Sequence, residues 1–223
     1  MGVDSMIKHR CETCSGIGMV GTGTDTSDYR QWKRRPLLVC PTCTPRIPET
    51  FEGFHTGGSP DLVAALESTI AWADGTGPAM LSLAGNPGRG KSHLMQAALQ
   101  SLRDRYIPAV YMGDRALDTM LRVSFSDGDT PTRMDDLVKV PWLLLDDYGT
   151  IQRNPQMAGL IDDLFVQRWA SARDGHDQVR TMLTTNLGGD ELPMRMASRF
   201  MDKTRARSVH INAPDYRQEL RNE

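Results

Sequence analysis

Five short apolar runs punctuate the chain beyond residue 78, and the apolar positions between them recur at helical spacing. The runs are AMLSLAG (79–85), IPAVYMG (107–113), WLLLDDYG (142–149), VRTMLTTN (179–186) and a last one over 206–212. Continuous apolarity, as in Trp142-Leu143-Leu144-Leu145, predicts strands buried on both faces of a parallel sheet. Strands are expected near 79–84, 107–112, 142–147, 179–185 and 206–212. Pro60 and Asp61 open a predicted helix over about 61–74, with Leu62, Ala65, Leu66, Thr69 and Ile70 on one face. Leu94, Ala97, Ala98 and Leu102 form the stripe of a second. Two further helical segments, about 114–124 and 133–139, are expected to flank SFSDGDTPT. The alternation predicts an α/β fold, a parallel five-stranded sheet with helices on both faces.

Upstream of this pattern lies TPRIPETFEGFHTGGSP (44–60), rich in Pro and Gly and without periodicity, which reads as a linker. The expected organisation is a module over 1–46, a linker over 47–60 and the α/β domain over 61–223. An apolar fraction of 39% and a charged fraction of 24% exclude a disordered chain. The net charge of −2 announces no global nucleic-acid surface. No run is long enough to span a membrane, and the N-terminus lacks an apolar signal-peptide core. A cytoplasmic, reducing location is expected.

That location decides how the four cysteines are read. Cys11, Cys14, Cys40 and Cys43 form two C-x-x-C knuckles. In a reducing compartment such knuckles predict a tetrahedral thiolate zinc site, a small ribbon folded largely by its metal. Between them YRQWKRR (29–35) carries four cations and two aromatic rings. It suits a nucleic-acid surface, a protein-docking face or a plain charged hairpin, and the sequence does not choose.

The first strand runs directly into GNPGRGKS (85–92), which matches G-x-x-x-x-G-K-[ST] in full, with a helix following at once. Gly85, Gly88 and Gly90 let the backbone fold round an anion with its N–H groups inward, and the helix N-terminus adds positive potential. The predicted nucleotide-binding residues are Gly85, Asn86, Pro87, Gly88, Arg89, Gly90, Lys91, Ser92 and His93. Lys91 is expected to reach the β- and γ-phosphates of ATP, and the Ser92 hydroxyl to bind Mg²⁺. A phosphate-bound cation needs a carboxylate on a neighbouring strand, which explains why WLLL ends in two acids. Asp146 is the expected outer-sphere Mg²⁺ ligand and Asp147 the group that orients the attacking water. At the end of the fourth run, Thr184, Thr185 and Asn186 suit the γ-phosphate or that water.

GNPGRGKS, LLLDDYG, the Arg168-Trp169 pair, TTNL and RMASRF (195–200) follow in an order that resembles the AAA+ ATPases of the DnaC/DnaI/IstB group, over about 60–217. The resemblance implies a P-loop NTPase that loads a replicative, DnaB-type helicase onto single-stranded DNA. It assigns Asn186 as the sensor and Arg199 as an arginine finger acting on ATP held by a neighbouring subunit, with Arg195 second in line. A nucleotide-dependent homo-oligomer is therefore implied, and the resemblance carries Arg217 over as an in-subunit phosphate sensor. Asp-Asp stands where many AAA+ proteins have Asp-Glu. Only six residues follow Arg217, so no C-terminal lid domain is expected. The cysteine module resembles the zinc-binding front of DnaI-type loaders more than the helical front of transposase helpers. A transposase helper on duplex DNA and a nucleotide-binding adaptor with little turnover are the alternatives.

The segment 114–139 resembles the insert by which initiator-type AAA+ proteins touch single-stranded DNA. It holds four basic residues (Arg115, Arg122, Arg133, Lys139) against six aspartates, a poor polyanion surface unless the arginines cluster. A solvated helical hairpin with a mobile tip fits equally.

Overall fold

The computed structural model describes residues 19–21, 37–39, 49–173 and 179–214. Two three-residue strands, β1 (Met19–Gly21) and β2 (Leu37–Val39), pair antiparallel in the stretch between the two cysteine knuckles. The cysteines and Arg217 lie outside the described residues.

From residue 60 the chain alternates as expected: α1 (Pro60–Ala73), β3 (Met80–Ala84), α2 (Lys91–Asp104), β4 (Ala109–Gly113), α3 (Asp114–Asp127), α4 (Thr130–Lys139), β5 (Trp142–Tyr148), α5 (Pro155–Arg173), β6 (Arg180–Thr185), α6 (Met194–Phe200) and β7 (Ala206–His210). The five later strands form one parallel sheet in the order β4-β5-β6-β3-β7. The phosphate-loop strand β3 thus lies beside β6, and β6 separates it from the carboxylate strand β5.

Each central strand feeds two cores. Leu81, Leu83, Trp142, Leu144 and Met182 pack with α1 and α2, whereas Met80, Leu143, Leu145 and Leu183 pack with α3 to α6. The two-faced burial explains the unbroken apolarity of WLLL. On the first face Trp72 is fully buried and meets Trp142 edge-on at 4.8 Å between ring centroids.

The second core is tied by one charged side chain. Arg168 on α5 is 1% exposed. Its Nε donates to Thr181 Oγ1, Nη1 to the carbonyls of Leu137, Val138 and Val140, and Nη2 to those of Pro141 and Arg180. One guanidinium therefore satisfies the C-terminal end of α4 and the entrances of β5 and β6 together. Burial pushes its pKa down to about 9, which leaves it charged at neutral pH.

Two expectations are corrected. The helices of 114–139 approach far more closely than SFSDGDTPT suggested, because Gly128 closes α3 with φ +69° and Pro131 opens α4. Ser124 and Thr130 hydroxyls meet at 3.1 Å across the turn. A two-residue turn joins the two helices. The linker residues next to the domain also belong to its packing. Phe54 is buried in the first core, and Phe51 packs against it.

Candidate nucleotide-binding site

The site forms where β3, β5 and β6 end on the same edge of the sheet. Gly85 leaves β3 with φ +138°, and a Cβ there would stand 2.4 Å from the Ile211 carbonyl oxygen. Only glycine lets the loop pass so close to the segment after β7. Gly90, at φ +80°, caps α2, and a Cβ on it would meet the Phe54 ring at 2.6 Å. Asn86 and Pro87 form the exposed outer limb of the loop.

Lys91 is 5% exposed, and its ammonium donates to Gly85 O at 2.6 Å, Asn86 O at 2.9 Å and Asn186 Oδ1 at 2.8 Å. Sequence positions 91 and 186 therefore meet directly. The Arg89 guanidinium donates to Ile211 O at 2.5 Å, so it braces the loop against the end of the sheet. His93 is engaged by Thr50 O at 3.0 Å and by the edge of Phe54, which leaves its backbone to the loop.

Asp146 is 6% exposed and gathers three hydroxyls. Its Oδ1 accepts from Ser92 Oγ at 3.0 Å and Thr184 Oγ1 at 2.5 Å, and its Oδ2 from Tyr111 Oη at 2.8 Å. The donor set, a hydroxyl beside a carboxylate, fits the octahedral oxygen chemistry of Mg²⁺. Burial, with the Asp146 charge and hydrogen bond behind it, pushes the Tyr111 phenol far above its usual range, so it remains a donor at neutral pH.

Asp147 escapes the alternation of its strand. The β5–β6 register runs regularly to Leu145↔Leu183 and resumes at Tyr148↔Thr185, which leaves one extra residue on β5. Asp147 absorbs the bulge with φ +53° and is exposed, while Tyr148 is buried in the second core. In strict alternation with no bulge, position 148 would face the first core instead. Burial pushes the Tyr148 phenol up to about 12.

The Thr184 and Thr185 hydroxyls serve the strand ends themselves. Thr184 Oγ1 bonds Asp146 and accepts from Asp147 N at 2.9 Å, and Thr185 Oγ1 donates to Tyr148 O at 2.8 Å. Arg199 on α6 is stacked over the Trp169 ring at 4.7 Å, and its Nε is buried without a hydrogen-bond partner. Arg195 is 55% exposed and pairs with Asp162 and Asp163 of α5. Neither arginine is among the groups that bond Asp146 or Lys91 here.

Sequence reasoning missed Tyr111, a single tyrosine in an edge strand with nothing to mark it. It also missed the buried Asp114, which accepts from Thr150 Oγ1, Ile151 N and Arg153 and so pins the loop after β5 to the start of α3. Three of the four cations of the 114–139 hairpin are ion-paired with its own aspartates: Arg122 with Asp118, Arg133 with Asp129, and Lys139 with Asp135. Among the described residues no cluster of three or more His, Cys, Asp or Glu side chains could hold a metal ion. No described helix is long and apolar enough to cross a membrane.

Neither a family model nor a curated protein matches the sequence. Solved structures do. The DnaC helicase loader superposes with a TM-score of 0.60 at 19% identity, over 74% of this chain and 97% of that one. The fold is the AAA+ P-loop fold. DnaI matches with a TM-score of 0.57 at 19% identity, over 78% of this chain and 94% of that one. AMPPCP-bound DnaA from Aquifex aeolicus matches with 0.64 at 18%, over 80% and 57%. The chain spans little more than half, 55% to 57%, of three replication-initiation chains that it matches.

Proposed function

We propose that the chain is an ATPase that loads a replicative DNA helicase onto single-stranded DNA, with ATP binding and hydrolysis acting as a switch. The observation that carries this reading is the joined pair of bridges Lys91–Asn186 and Ser92–Asp146, made by residues of three different strand ends. The nearly complete coverage of the DnaC helicase loader, against little more than half of DnaA, favours a loader over an initiator.

In this reading the loop N–H groups and the α2 N-terminus receive the phosphates, and Lys91 exchanges carbonyl partners for phosphate oxygens. Ser92 and Asp146 would hold magnesium, which would supply positive charge to neutralise that of the phosphates. Asp147, turned out at the bulge, orients the attacking water. Asn186 sits beside Lys91, where the γ-phosphate would lie. Arg199 leaves Trp169 to act on ATP of a neighbouring subunit in a nucleotide-dependent homo-oligomer. The segment 1–46, with Cys11, Cys14, Cys40 and Cys43 as zinc ligands, docks on the helicase. The self-paired charges of the 114–139 hairpin make it a weak DNA surface, so the DNA contact is assigned to the oligomer as a whole.

Light scattering of the full chain mixed with a replicative helicase hexamer, with and without ATP and Mg²⁺, tests this. A larger complex that forms with ATP and is lost when residues 1–46 are removed is expected. No complex under any nucleotide condition would overturn the loader in favour of a transposase helper, whose filaments on duplex DNA the same instrument would detect.

A further inference from the structure

Tyr111 stands on β4, the edge strand, opposite Leu144 and one diagonal step from Asp146. Its ring packs against the first core, and its hydroxyl donates to one Asp146 oxygen, Oδ2. The other oxygen, Oδ1, faces Ser92 and Thr184. Gln96 of α2 lies near the phenol and acts on it against the pull of the Asp146 charge. A carboxylate gripped on both oxygens from two other strands and a helix has little freedom to rotate about its own axis. Nothing in the packing of the half-buried ring requires the hydroxyl.

Magnesium demands near-ideal octahedral geometry at short metal–oxygen distances, whereas calcium accepts six to eight oxygens in flexible arrangements. An outer-sphere carboxylate holds one of the ion's bound waters, so a rotationally fixed one suits the rigid octahedral water shell of magnesium, whereas the looser shell of calcium tolerates a swinging one. We propose that Tyr111 is a positioning residue that fixes the rotation of the Asp146 carboxylate and thereby gives the site its preference for magnesium over calcium. The inference rests on Ser92 and Asp146 being the magnesium site.

The experiment is binding of a fluorescent, non-hydrolysable ATP analogue to the full chain, wild type and Tyr111→Phe. Each protein is titrated with Mg²⁺ and separately with Ca²⁺, with chelator present for the metal-free reference. Phenylalanine should raise the Mg²⁺ midpoint about tenfold, the scale of one lost hydrogen bond to a charged group. The Ca²⁺ midpoint should move by less than about threefold, because calcium tolerates the looser carboxylate. Gln96→Met, which frees the phenol without removing it, should move the Mg²⁺ midpoint in the same direction by less. Equal shifts for both ions, or none, overturn the proposal while leaving the ATP site standing. A wild-type protein whose nucleotide binding ignores Mg²⁺ overturns the magnesium site and this proposal together.

Discussion

The hydroxyl of Thr184 joins the two acidic positions of β5, donating to Asp146 Oδ1 at 2.5 Å and accepting from the Asp147 amide at 2.9 Å. Thr184 is fully buried, so replacing it by the isosteric valine would strand the Asp147 amide and remove one of three donors from a buried carboxylate. Thr184→Val is expected to cost about 1–3 kcal/mol in chemical unfolding. ATP hydrolysis should fall further than nucleotide affinity, because Lys91 and its loop are untouched. Equal losses in both would show that the threonine only supports the fold.

Asp147 carries backbone strain at φ +53°. Left-handed geometry costs a non-glycine residue on the order of 1 kcal/mol, part of which glycine's larger unfolded-state entropy gives back. Asp147→Gly should therefore raise the melting temperature by roughly 2 °C in a domain of this size, while hydrolysis is lost and ATP binding is kept. Asp147→Asn should lose hydrolysis without the gain in stability. An Asp147→Asn protein with normal turnover would remove Asp147 from the mechanism.

Arg168 is the most heavily bonded buried side chain of the second core. Arg168→Met leaves the carbonyls of Leu137, Val138, Val140, Pro141 and Arg180 without their shared donor, at an expected cost of about 3–5 kcal/mol in urea unfolding. Lysine should restore little, since three donors on one nitrogen cannot reach acceptors on three elements. Full rescue by Arg168→Lys would mean that charge alone matters there.

Arg199→Ala removes a side chain that touches Trp169 within the subunit. Nucleotide affinity should survive, whereas hydrolysis that depends on protein concentration should drop by on the order of 10³. Lys91→Ala, by contrast, should abolish binding itself. If Arg199→Ala keeps its concentration-dependent turnover, Arg195 becomes the arginine to examine across the interface.

Most of the architecture was legible because it rests on local rules. Two-faced burial writes itself as WLLL and MLSLA, the α2 stripe as Leu94, Ala97, Ala98 and Leu102, and the phosphate loop as glycines at positions of positive φ. All five strand positions agree with the structure to within two residues at either end. The α3–α4 turn was misjudged because polarity over 124–132 hides two good stop and start signals, Gly128 and Pro131, inside what reads as one loop.

By itself, the sequence singled out the glycine-rich loop at 85–92 and the acids that follow WLLL as candidates for one site, because such patterns tolerate few residue types at fixed spacing. Only the tertiary structure decided what holds them. The register of β5 against β6 creates the bulge that turns Asp147 outward, and strand order brings Tyr111 and Thr184 onto the same carboxylate. It also leaves Arg168 buried among carbonyls of three elements, and Arg199 on Trp169. Tyr111 and Asp146 lie 35 positions apart, and Asp146 and Thr184 lie 38 apart. Their geometry depends on how the sheet is ordered and packed, which no window of local periodicity contains.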